Sequence, residues 1–391
     1  MNKKTHFSEI LTHLGEDRCQ YYGAVAPPII QTSNFAFDTV GEFREAFRDE
    51  LHSHVYTRGN NPTVEILRAK IAALEHTDDC LALSSGSAAM TAAVMGNIGA
   101  GEHIICVEKP YSWTFKLCEV LLKRFGVETT FVDARDMQNV YNAIRPNTRL
   151  LVLESPNSLS FEIQDLAACA KWAKENNITT VIDNSHCSPY YQNPAEFGID
   201  LVVHSGTKYL NGHSDVICGF ICGSKERIAK LFQSELLTIG SIISPHNAWL
   251  VLRGLRTFAI RIEKSQENAL ALCDFLSKRA EVKQLIYPLL DSYPQAELAK
   301  RQMKGAGGLF SVIFHCEEVT KLEKFSNTLA KTFQMAVSWG GYESLHLPCC
   351  IFYNDYAPKP VLPISFMRFY AGIESIDYLI AAFEEALPEL H

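Results

Sequence analysis

A chain of 391 residues is too long for one small core and has room for two domains. With 36 Lys and Arg against 44 Asp and Glu, a net charge of -8 and no run of about five or six like charges, it does not read as a nucleic-acid binder. It holds 47% hydrophobic residues yet no stretch of about 18 uncharged apolar ones, so no membrane span is predicted. Met1 to His6 lead into polar sequence rather than a signal-peptide core, which predicts a cytoplasmic protein. The twelve cysteines are scattered, several inside apolar runs (Cys106, Cys169, Cys218), and none has a recurring zinc spacing; reduced, buried thiols and no metal site are predicted.

Residues 1–55 carry Pro27-Pro28 and little periodicity, and read as an arm that packs on something else. Tyr56-Thr57-Arg58-Gly59-Asn60-Asn61-Pro62-Thr63 then opens a helix, because proline suits the first turn and Ile66, Leu67, Ile71 and Leu74 fall on one stripe. Short apolar runs at 80–83, 103–107, 129–132, 149–153, 179–182, 201–203 and 220–222 alternate with helical periodicity. That is the pattern of βαβ units, and it predicts an α/β domain with a mostly parallel seven-stranded sheet covered on both faces. An amphipathic stretch over 245–279, with Trp249, Leu252, Leu255, Ile260 and Leu270, is predicted to lead into a smaller α+β domain. That domain takes in the run at 309–314 and a final helix over 376–387. The expected division is an arm over 1–55, a large domain over 56–245 and a C-terminal domain over 246–391.

Two side chains stand at the carboxyl ends of what should be neighbouring buried strands. Asp183 ends the run 179–182, and Lys208 follows the strand reading Ile199 to Val203. A lysine after a strand is by itself an ordinary surface residue. An amine and a carboxylate placed together at strand ends suit pyridoxal phosphate (PLP), which needs the first to carry it and the second to keep its pyridinium nitrogen protonated. Ser84-Ser85-Gly86-Ser87-Ala88 lies between the strand at 80–83 and an alanine-rich helix, where backbone N–H groups and the helix dipole favour an anion. Ordinary strand-to-helix turns use the same residue types. No Gly-x-Gly-x-x-Gly follows an early strand, which argues against a dinucleotide.

The string His204-Ser205-Gly206-Thr207-Lys208-Tyr209-Leu210-Asn211-Gly212-His213-Ser214-Asp215 resembles the lysine motif of the cysteine and methionine metabolism (trans-sulfuration) family of PLP enzymes. That family includes cystathionine γ-synthase, cystathionine γ-lyase, cystathionine β-lyase and methionine γ-lyase. The resemblance spans nearly the whole chain. It takes in Tyr56 to Thr63, Ser84 to Met90, Glu154-Ser155-Pro156-Asn157 and Asp183-Asn184-Ser185-His186-Cys187-Ser188-Pro189. In the C-terminal part it takes in Val337-Ser338-Trp339-Gly340-Gly341-Tyr342-Glu343-Ser344-Leu345 and Met367 to Glu374.

This resemblance implies a PLP-dependent aminotransferase-like (fold type I) large domain and a carbon–sulfur lyase acting on a sulfur amino acid. Lys208 is implied to carry the cofactor and then move the substrate's α-proton, Asp183 to hold the ring nitrogen, and Tyr111 to stack over the ring and join in proton transfer. Gly86 and Ser87 are implied to hold the phosphate through backbone groups, with Ser205 and Thr207 adding hydroxyls. Tyr56 and Arg58 are implied to reach the phosphate of a neighbouring subunit, giving a homodimer with shared active sites and, by the family's habit, a homotetramer. Arg368 is implied to bind the substrate's α-carboxylate, with Ser338 orienting it, and Asn157 to lie near the cofactor's phenolic oxygen. Trp113 stands where the family has a small residue and Trp339 where the γ-enzymes have leucine, which makes both candidate walls of the side-chain pocket. Trp339 favours a cystathionine β-lyase-like elimination. Val337, which supplies no carboxylate, and the full form of the Tyr56 to Thr63 segment leave γ-elimination and γ-replacement open. A non-catalytic PLP-binding regulator is disfavoured, because Lys208, Asp183 and Arg368 are all in place.

Overall fold

Apolar runs long enough to be covered on both faces become strands. In the computed structural model, which describes residues 6–353 and 362–391, seven of them join in one sheet. They are β1 (Asp79–Leu83), β2 (His103–Val107), β3 (Glu128–Val132), β4 (Thr148–Glu154), β5 (Thr179–Asp183), β6 (Leu201–Ser205) and β7 (Gly219–Gly223). The spatial order is β1-β7-β6-β5-β4-β2-β3, parallel throughout except for β7, which runs antiparallel to both its neighbours. Register sets Glu154 beside Asp183, and Asp183 beside Val203, at the carboxyl edge of β4, β5 and β6. Ligands of open α/β sheets gather at that edge.

A second sheet follows: β8 (Val282–Ile286), β9 (Leu309–Phe314), β10 (Gln334–Met335), β11 (Leu345–Pro348) and β12 (Phe366–Tyr370), in the order β10-β11-β12-β9-β8. It is antiparallel except where β10 meets β11. Arg368 sits within β12, opposite Leu347 on one side and Ser311 on the other.

The amphipathic stretch over 245–279 is not one continuous element. It is two helices, Pro245–Leu255 and Phe258–Ser277. The Thr257 hydroxyl donates to the Gly254 carbonyl at 3.2 Å, a local bond that competes with the helical ladder. The break resets the helical phase, and Ile260 and Leu270 face solvent instead of the core. The expected arm is also more ordered than its composition suggests. It holds the helices Phe7–Thr12 and Val40–Arg48, and its first part is pinned to its own chain by the buried Lys70. Lys70 Nζ donates to the Ile10 carbonyl at 2.9 Å and pairs with Glu16 at 3.1 Å. Residues 1–5 of that arm and residues 354–361 of the C-terminal segment lie outside the described residues. Of the twelve cysteines only Cys19 is exposed, and among the described residues no helix is long and apolar enough to cross a membrane.

The loop after Lys208 is locked from behind by a buried arginine. Arg261 Nη1 donates to the Tyr209 carbonyl at 3.1 Å and Nη2 to the Gly254 carbonyl at 2.9 Å. Gly212 leaves space for this guanidinium: at φ +67°, a Cβ there would lie 1.5 Å from Arg261 Nη1. Gly212→Ala should therefore destabilise the fold by about 2–4 kcal/mol, from positive-φ strain plus overpacking, and thermal unfolding of purified protein checks it. An unchanged melting temperature would mean that the loop is not held as described.

Candidate active site

Lys208 reaches its place because β6 ends at Ser205 and the chain turns at once, with Lys208 N–H donating to the Ser205 carbonyl at 3.2 Å. Its amine is taken into a largely buried pocket where Nζ donates to Ser338 Oγ at 2.5 Å. The same atom stands 5.5 Å from the centre of the Trp339 ring. Burial first, and then the charge of Arg368, push the lysine down to about 8, against a smaller opposite pull from Asp183. The second sheet's contribution approaches closely: a Cβ on Gly340, at φ +88°, would lie 2.9 Å from Lys208 Cα. Ser338 itself has φ +79°, a left-handed conformation that costs a non-glycine residue of the order of 1–3 kcal/mol. It is held there from two sides, since its hydroxyl takes the lysine's bond and its carbonyl accepts from Arg368 Nη2 at 3.3 Å.

Arg368 is 8% exposed, and its Nη1 donates to the Ser158 carbonyl at 3.1 Å. Among the described residues no carboxylate lies within ion-pair distance of it, and burial pushes it down to about 10. A buried guanidinium with only carbonyl acceptors is a ready receptor for a ligand carboxylate.

Across the pocket, Asp183 Oδ1 accepts the Ser185 N–H at 2.8 Å. Tyr111, half exposed, follows β2. Burial, Asp183 and Glu154 together raise the tyrosine, so it keeps its proton. Gly86 and Ser87 form the first turn of the helix Gly86–Met95, capped by Ser85, whose hydroxyl accepts the Ala88 N–H at 3.0 Å. A Cβ on Gly86 would lie 2.7 Å from Ser205 Cβ, so the turn is pressed against the end of β6.

Several expected residues stand differently. Asn157 spends its side chain on its own turn: Oδ1 accepts from the N–H groups of Leu159, Ser160 and Phe161 at 3.2, 2.9 and 3.0 Å. The neighbouring Ser158, which the sequence reading passed over, is the residue that meets Arg368. Thr207 Oγ1 exchanges bonds with the backbone of Cys218, accepting its N–H at 3.1 Å and donating to its carbonyl at 3.3 Å. Trp339 is 6% exposed and packs between His186 and Tyr209, whereas Trp113 is 62% exposed in the short helix Ser112–Lys116. Tyr56 and Arg58 are exposed too, with the guanidinium 5.5 Å from the tyrosine ring centre. Glu154, read only as part of a turn motif, is a further buried carboxylate of the site.

The chain is similar to known proteins along nearly its whole length. Residues 8–388 match the family model described as Cys/Met metabolism PLP-dependent enzyme. The chain is 37% identical to L-methionine gamma-lyase of Treponema denticola over 99% of this chain and 98% of that one. It is 36% identical to cystathionine beta-lyase of Coxiella burnetii over 99% of both. The crystal structure of metB from Corynebacterium glutamicum superimposes with a TM-score of 0.91 at 34% identity, covering 99% of this chain and 98% of that one. The chain belongs to the Cys/Met metabolism family of PLP-dependent enzymes, and it is a PLP-dependent carbon–sulfur lyase.

The residues present fit that cofactor. The turn at Gly86 and Ser87 has N–H groups with no acceptor among the described residues, at the positive end of a ten-residue helix. The desolvated amine of Lys208 lies within electrostatic range of the Asp183 carboxylate. If Lys208 carries PLP, reconstituting the cofactor-free protein and reducing with borohydride should label that residue. The rate of reconstitution should rise to about pH 8 and then level, since the neutral amine dominates above its lowered value. Label on another lysine, or a rate still climbing toward the ordinary lysine value of 10.5, would reject the assignment.

Proposed function

We propose that this member of the family cleaves the Cβ–S bond of a cystathionine-type sulfur amino acid by β-elimination. The observation that carries the reading is the clamp on Lys208, between the Ser338 hydroxyl and the face of a buried Trp339. β-Elimination asks the base for one proton, the one on Cα. γ-Elimination asks in addition for a proton moved at Cβ and for room to seat a longer chain. A lysine with short travel beside a bulky ring suits the first.

When bound, PLP supplies an electron sink for the charge left as the α-proton departs. Arg368 pairs with the substrate's α-carboxylate, and Ser338 holds the loop that brings Lys208 beside it. Lys208, pushed down to about 8, has enough neutral amine near neutral pH to accept the α-proton. Tyr111, kept protonated, has a proton to give to the departing sulfur. Asp183 is assigned to the ring nitrogen, and Gly86, Ser87 and Ser205 to the phosphate as donors. Tyr56 and Arg58, exposed on one chain, are assigned to the phosphate of a neighbouring subunit, in a homodimer whose pairing makes a homotetramer.

γ-Elimination is the second reading. The methionine gamma-lyase relative favours it, as does Val337, 73% exposed and uncharged beside the pocket loop. Of the two tryptophans only Trp339 closes on the lysine within one chain, so Trp339 carries the discrimination.

Purified enzyme should therefore release pyruvate from cystathionine faster, by kcat/KM, than 2-oxobutyrate from methionine. Trp339→Leu should shift that ratio toward methionine by about 10- to 200-fold, the usual worth of steric discrimination. A ratio unmoved in a folded variant would remove Trp339 from the argument. The shared site has its own test: Arg58→Ala and Lys208→Ala proteins, each nearly inactive, should regain activity when mixed and reassembled. No recovery would place both defects in one subunit's site.

A further inference from the structure

Glu154 has no part in the roles assigned so far, although two walls of the site meet on it. It ends β4, and register sets it beside Asp183 on β5. Its Oε2 accepts the Tyr111 N–H at 2.5 Å, and its Oε1 accepts the Ser158 N–H at 3.2 Å. The Ser158 carbonyl in turn accepts from Arg368 Nη1 at 3.1 Å. Tyr111 belongs to the first sheet's edge and Arg368 to the second sheet, so one carboxylate stands where the two elements are tied.

We propose that Glu154 is a positioning residue that anchors Tyr111 directly and Arg368 through Ser158, fixing the group over the cofactor ring and the group for the substrate carboxylate to one another. This rests on the roles proposed above for Tyr111 and Arg368. Two backbone N–H groups, pointing from different segments, need two acceptor oxygens on one side chain. A glutamine would turn an NH2 donor against one of them. An aspartate, one methylene shorter, cannot span both. The residue is 6% exposed; burial, then the charge of Asp183, raise it, while the N–H bonds from Tyr111 and Ser158 pull it down toward the carboxylate form. Such a costly buried acid is retained where its geometry matters.

The test uses holoenzyme carrying Glu154→Gln, Glu154→Asp, Arg368→Lys and the Glu154→Gln/Arg368→Lys pair. Each Glu154 variant should raise KM by about 10²-fold, the usual effect of an ångström-scale misplacement. Each should also shift the visible band of the bound cofactor as Tyr111 loosens. In the Arg368→Lys background, Glu154→Gln should change KM by less than about threefold, because the two act through one contact chain. A merely structural role would lower the melting temperature and leave those two effects on KM independent. Independent effects, or Glu154 variants with unchanged KM, overturn the proposal. Should Glu154→Gln not fold, Glu154→Asp, which keeps the acid, carries the same expectation. Arg368→Lys with unchanged KM would instead bring down the carboxylate reading of Arg368, a result distinct from a failure confined to Glu154.

Discussion

Two buried cations with no carboxylate within ion-pair distance among the described residues set the terms for this site. Lys208 and Arg368 sit close enough that the charge of one lowers the basicity of the other. Both are held by neutral oxygens, Ser338 Oγ for the lysine and two carbonyls for the arginine. Burying such groups without counter-charges costs several kcal/mol, which the rest of the fold must offset. Beside Arg368 a ligand carboxylate would supply the counter-charge that the described residues do not. A carboxylate placed there gains more than it would in water, because the solvent that would compete for the guanidinium is already gone.

The second sheet's domain reaches Lys208 directly. The loop from Ser338 to Gly340 is pressed onto the backbone of Lys208 so tightly that glycine is needed at 340, and Ser338 accepts a strained conformation to reach both cations. Arg261 braces the same lysine loop from behind. Lys208 is thus fixed by the loop before β11, by the helix Phe258–Ser277 and by β6, three elements far apart in sequence. A side chain held from three elements has given up its conformational freedom during folding.

How much of this the sequence displays depends on the range of each interaction. The seven runs of the first sheet are legible because a strand covered on both faces is apolar throughout, and each run falls within one residue or so of a strand. Asp183 and Lys208 are legible because strand ends are marked by a change from apolar to polar within one or two positions. The break at Thr257 was hidden, since a threonine that bonds back to Gly254 leaves the apolar period intact on either side. Asn157 and Ser158 are adjacent polar residues of one turn, and only the approach of Arg368, 210 positions later, separates their roles. The two tryptophans look alike as letters; one is enclosed by His186 and Tyr209 and the other lies at the surface. The docking of the arm on Lys70 was equally out of reach, because a lysine inside a helix carries no sign of which carbonyls it will meet.

The antiparallel β7 has an effect on the order of assembly. β1 lies at the sheet's margin, and among the described residues the one strand it pairs with is β7, so residues 79–83 have no strand to join until residues 219–223 have been made. The turn at Ser84 to Ser87 extends from β1, and its wall is Ser205 at the end of β6. A ribosome thus releases the turn at Ser84 to Ser87 early and its wall more than a hundred residues later. Until then the exposed edge of β1 and the alanine-rich helix behind it are the parts of the nascent chain most in need of protection from wrong partners.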